Sequence, residues 1–141
     1  MKRTVIAAVM IAVAGMWFVM NRTAAQQSSE NQHAEKIAEL MQQRHDVLQQ
    51  HYEVIKRRYA DGRFEYDQVI SAMDALLKAK LDLAKSKQER LDICKQRVDN
   101  LRSLEQWGES RLKSGVGAVE ETMLATAARI QAEIDCLREE Q

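Results

Sequence analysis

Apolar residues recur along this chain at intervals of three and four, the spacing that lines them up on one side of an α-helix. Ile37, Met41, Leu48 and Ile55 form a first stripe, with Arg44 and His51 filling the intervening seam places. Val69, Ile70, Met73, Leu76, Leu77 and Leu81 form a second, and Leu91, Cys94, Val98 and Leu101 a third. Val119, Met123, Ala127, Ile130, Ile134 and Leu137 form the fourth. The stripes predict a first helix from near Ser29 to residue 61 and a second from Asp67, a candidate N-cap, to Ala84. A third follows Ser86, which stands three residues before Glu89 at the spacing of a capping box. The fourth covers about residues 118–139, and its stripe is the face expected to be buried. Gly62 ends the first helix, Gly115 and Gly117 form a second turn, and Gly108 marks a close contact or a bend.

The expected fold is all-α, built as two tandem long helical hairpins and hence four helices. The hairpins cover residues 33–84, with a tip near Gly62, and 86–141, with a tip near Gly115. No helix is apolar all round, so each stripe needs a neighbour. A compact four-helix bundle meets that need, and so do coiled-coil-like hairpins that close their stripes between chains.

The tips repeat. Laying residues 58–82 on residues 111–135 gives six identities, among them Arg58/Arg111, Gly62/Gly115, Ala72/Ala125 and Asp82/Asp135. Chance would supply roughly one or two. Ile70/Met123, Leu77/Ile130 and Leu81/Ile134 keep apolar positions in register, and the whole reads as an internal repeat.

Composition agrees with helices: there is no proline, aromatics are only 5%, and Ala, Leu, Glu, Gln, Lys and Arg dominate. Lys plus Arg number 21 and Asp plus Glu 21, so no net field draws the chain to nucleic acid or to an anionic membrane. The first 25 residues stand apart. Lys2 and Arg3 precede an uncharged apolar run from Val5 to Met20, and Thr23-Ala24-Ala25 supplies small residues where a signal peptidase cuts. Residues 1–25 are therefore expected to be a signal peptide or an N-terminal membrane anchor, the only membrane-associated part of the chain. Residues 26–32 form a polar leader, and everything after residue 25 faces an extracytoplasmic, periplasmic space.

Candidate chemistry is sparse. Cys94 and Cys136 are the only cysteines; antiparallel helices about the second tip bring them within about a helical turn, leaving a disulfide or two reduced thiols as alternatives. Glu30 and His33 have the i, i+3 spacing of carboxylate-bridged metal bundles, in one copy where such sites need two. No metal site, cofactor or catalytic constellation follows, and an enzyme is not expected. Tyr59, Phe64 and Tyr66 gather three aromatics in eight residues of an aromatic-poor chain, which suits partner binding. Arg58 and Arg111, four residues before the tip glycines, complement helix C-termini or contact a partner.

The tip pattern, an Arg, an aromatic or aliphatic residue and a Gly, followed by a helix with Ala ten residues on, resembles the hairpin tips of TolC-type outer membrane efflux proteins. Here Gly62 is followed by Gln68-Val69-Ile70 and Ala72, and Gly115 by Glu121-Thr122-Met123 and Ala125. The resemblance covers two segments of about 25 residues. No run of about ten alternating residues supplies a strand for a membrane barrel, so the chain alone makes no pore. What the resemblance implies is a periplasmic helical-hairpin module whose tips, at Arg58, Tyr59 and Gly62 and at Arg111, Leu112 and Gly115, meet an envelope protein. The expected function is thus a non-enzymatic structural or interaction protein acting through a partner or through self-association. The alternative is a small periplasmic four-helix sensor or chaperone responding to metal or stress through its histidines.

Overall fold

The computed structural model describes the backbone from residue 3 and side chains from residue 31. The described residues form four helices: α1 (Arg3–Ala60), α2 (Tyr66–Leu83), α3 (Lys87–Lys113) and α4 (Val119–Glu140). Among the described residues there is no strand, so the all-α expectation holds. The expected start at Ser29 does not, because α1 is continuous through it. Residues 26–32 lack apolar periodicity, but they also lack the Pro or Gly that would stop a helix. Residues 1 and 2, and the side chains of the signal or anchor expected over residues 1–25 and of Glu30, lie outside what is described. Among the described residues no helix is long and apolar enough to cross a membrane.

Two units are distinguished, residues 1–39 and 40–141. In the first, Lys36 pairs with Glu39 at 2.6 Å on an exposed face, and Ile37, expected on a buried seam, is exposed. The second contains the rest of α1 and all of α2, α3 and α4. There α1 turns Met41, His45, Leu48, Tyr52 and Ile55 away from solvent, a stripe of alternating four and three. Arg44 pairs with Asp82 of α2 near one end of this stretch, and Tyr59 meets Tyr66 near the other. Those contacts make α1 and α2 an antiparallel hairpin.

Glu65, rather than Asp67, caps α2: its backbone N–H donates to Gln68 Oε1 at 3.1 Å, and Asp67 falls in the first turn. The helix then buries Ile70, Ala72, Leu76, Leu77 and Ala79. At the next boundary Ser86 Oγ accepts from the Glu89 N–H at 3.1 Å, while the Glu89 carboxylate accepts from the Lys85 N–H at 2.9 Å. Ser86 caps α3 as the spacing predicts, but the Glu89 side chain reaches one residue further back, to the Lys85 N–H rather than to that of Ser86.

α3 packs antiparallel on both α2 and α4. Asn100 Nδ2 donates to the Ile70 carbonyl at 2.9 Å on one side, and Arg129 of α4 donates from Nε to Glu105 at 2.6 Å on the other. The Arg129 bond, followed by one from Thr126, holds the Glu105 carboxyl below its ordinary range. Between the three helices lies Arg97, whose side chain is only 6% exposed. It donates to Asp74 of α2 at 3.0 Å and to Asp135 of α4 at 3.5 Å. Asp74 also takes Lys78 at 2.7 Å.

α4 departs from expectation. It buries Ala125 and Ala132 against its neighbours, while Val119, Met123, Ala127, Ile130, Ile134 and Leu137 face solvent. The reason is distance. A Cβ added at Gly108 of α3 would lie 3.1 Å from Thr122 Oγ1, so the helices approach where side chains are small. Gly108 therefore marks a close contact and not a bend, since α3 runs through it unbroken.

Candidate functional site

Both helix-ending glycines adopt positive φ, +70° at Gly62 and +74° at Gly115. Each closes the same pair of backbone bonds. Gly62 N–H donates to the Tyr59 carbonyl at 2.9 Å and Arg63 N–H to the Arg58 carbonyl at 2.9 Å. Gly115 and Val116 donate to Leu112 and Arg111 at 3.0 Å each. This is the Schellman arrangement, in which a left-handed residue lets two otherwise orphaned carbonyls find donors. The sequence repeat is thus a repeat of backbone geometry. In the second tip Gly117 adds a close approach: a Cβ there would sit 2.8 Å from Arg111 Cβ and 2.9 Å from the Leu112 nitrogen.

The two tips lie side by side at one end of the helices. Tyr59 and Tyr66 have ring centroids 5.8 Å apart, and Tyr66 and Trp107 6.4 Å apart, both tilted. The Arg111 guanidinium lies 4.7 Å from the Trp107 centroid, at cation–π distance, and 3.5 Å from Glu65. A continuous path therefore runs from the end of α1, through the start of α2, to the end of α3. Arg58 sits over Phe64 at 5.5 Å, folding the first tip onto itself. The repeated arginines therefore share a backbone role while their side chains differ. Arg58 is exposed on its own tip, whereas Arg111 is half-buried and joins one tip to the other.

Tyr59 and Leu112 point to solvent, with 43% and 37% of their surface exposed, and Phe64 and Tyr66 are half-buried beneath. Trp107 and Glu65 complete this surface without having been singled out by the sequence. Trp107 precedes Arg111 by four residues, the interval of helix neighbours, and that spacing was the available signal. Glu65 gave none, because its partner comes from the other hairpin.

Away from the tips, Cys94 and Cys136 are free thiols on facing stretches of α3 and α4. Arg90 meets Glu139 at 2.7 Å on the same two stretches. Burial, followed by the nearby Cys136, pushes the Cys94 thiol up to about 11, so it stays protonated near neutral pH. Native-state alkylation with a maleimide at pH 7, read by mass, is expected to label Cys136, which is partly open, and to spare Cys94 until denaturant is added. Rapid labelling of both in the folded chain would contradict that burial.

His45 lies 3.0 Å from Asp46, and His51 borders a cleft with Leu48 and Ile55. Among the described residues no three His, Cys, Asp or Glu side chains gather as a metal site. Compared with known proteins, the chain matches no family model, no curated protein sequence and no solved structure.

Proposed function

We propose that this chain is an exported, non-enzymatic helical-hairpin protein of the cell envelope that binds an envelope protein through its paired tips, like a TolC-type efflux component without the pore. One observation carries the reading. Two tips separated by 53 residues share one backbone cap and meet in a single surface of Tyr59, Tyr66, Trp107 and Arg111. Aromatic and arginine side chains held by neighbours supply contact area without much conformational entropy to lose, which is what binding hot spots require. The backbone underneath is capped and so presents the side chains at a set angle.

Capture of envelope proteins by the full-length chain tests this. The double variant Tyr59→Ser with Leu112→Ser touches one exposed side chain on each tip and neither glycine cap. It is expected to keep its helical signal and melting temperature while at least a tenfold weaker capture follows, the scale of losing one hot spot. Retention of every wild-type partner by the folded variant would sink the proposal.

A further inference from the structure

The exposed stripe of α4 has a counterpart on α1. Met123, Ile130 and Leu137 of α4 stand seven residues apart, and so do Leu40, Val47 and Val54 of α1. All six are exposed, Val47 and Met123 most heavily among the middle and end rungs at 64% and 65%. Each set is a ladder of three rungs about 10 Å apart, the repeat of a coiled-coil seam. Both ladders belong to the 40–141 unit, and neither is covered within it. An apolar ladder of this length, left open beside charged residues, is the usual mark of an interaction surface.

We propose that these two ladders bind each other between copies: α4 of one chain packs antiparallel on α1 of a second copy, and the reciprocal contact closes a two-fold dimer. Charge selects this pairing over like with like. Residues 40–60 carry four basic and two acidic side chains, whereas α4 carries six acidic and two basic. Antiparallel alignment sets Leu40 against Leu137, Val47 against Ile130 and Val54 against Met123. It also brings Lys56 and Arg57 beside Glu120 and Glu121, and opposes the two helix dipoles. Pairing α4 with α4 antiparallel would instead press Glu120 and Glu121 against Glu139 and Glu140 of the other copy. Because each chain has one ladder of each kind, two contacts use up both and leave no open end. The inference rests on reading the chain as an interaction protein, but it employs a different surface from the tips.

Light scattering of the full-length chain in a mild detergent, on a sizing column, is the test. Wild type is expected at twice the chain mass above the micelle. Val47→Asp and Ile130→Asp are each expected to fall twofold to the single-chain mass with unchanged helical signal, since both positions are exposed. Mixing Val47→Asp with Ile130→Lys at raised concentration is expected to recover dimers, because the α4 of the first and the α1 of the second remain intact and the new charges facing each other in the other contact are opposite in sign. Leu40→Asp and Met123→Asp serve as a second pair should either variant misfold. A monomeric wild type overturns the proposal, and so does a mixture that stays monomeric. A Val47→Asp variant that remains dimeric would show α4 pairing with itself, and a dimeric Ile130→Asp variant would show the same for α1; either overturns it. The Tyr59→Ser and Leu112→Ser variant is expected to keep the dimer mass, so failure at the tips and failure at the ladders are told apart.

Discussion

Arg97→Ala is expected to destabilise the 40–141 unit by about 3–5 kcal/mol, the cost of breaking a buried ion pair from one side. Among the described residues Arg97 is the one buried basic side chain, and it meets Asp74 at 3.0 Å and Asp135 at 3.5 Å. Removing it leaves the Asp74 carboxylate buried with Lys78 as its remaining cation, at a point where three helices converge. A domain of this size has roughly 5–15 kcal/mol of stability in all, so chemical denaturation should show a large fall in midpoint. The double replacement Arg97→Met with Asp74→Leu is expected to recover most of the loss. It removes both charges together and fills the space with apolar atoms, and buried pairs often prove no better than that exchange. If Arg97→Ala unfolds at the wild-type midpoint, the network is hydrated and contributes nothing. High salt should leave the Arg97 contribution nearly intact, because water and ions do not reach a side chain so enclosed.

Leu77→Ala is expected to cost about 2–5 kcal/mol, through lost transfer energy and the cavity left behind. Leu77 has no exposed surface, and Leu76 beside it has 1%. The same exchange at Leu137, whose surface is 59% exposed, should change the stability of the separated monomer by no more than about 0.5 kcal/mol. Thermal melts of the two variants, compared at low protein concentration, check the contrast. Equal losses at the two positions would mean that Leu137 is covered in the monomer, against the burial described for α4.

How much of this was legible in sequence depended on how local each cause was. Both tips were readable because a Schellman cap is completed within six residues, and only glycine enters the left-handed region without strain. The start of α3 was readable for the same reason, since Ser86 and Glu89 satisfy donors within one turn. Capping of α2 by Glu65 was missed because Asp67 has the better general propensity, yet the Gln68 side chain reaches back to Glu65. The Arg97 cluster joins residues 23 and 38 positions apart and therefore had no sequence signature. Trp107 was half-legible, through its spacing to Arg111, but its contact with Tyr66 crosses between hairpins.

The fourth helix shows the limit most directly. Periodicity assigns Val119, Met123, Ile130, Ile134 and Leu137 to one face, and that assignment stands. It does not say which neighbour takes that face, or whether any does. Helix spacing decides it: α3 presents Gly108 to Thr122, and so close an approach admits Ala125 and Ala132 where larger side chains would collide.

By itself, then, the sequence determined the helical class, the two glycine-capped tips and their repetition, because these depend on propensity, capping and φ within a few residues. Only the tertiary structure decided that both tips share one end, that a charged cluster lies among α2, α3 and α4, and that the apolar stripe of α4 stays open. Those outcomes depend on which helices approach and how closely, a competition among distant surfaces that no local pattern records.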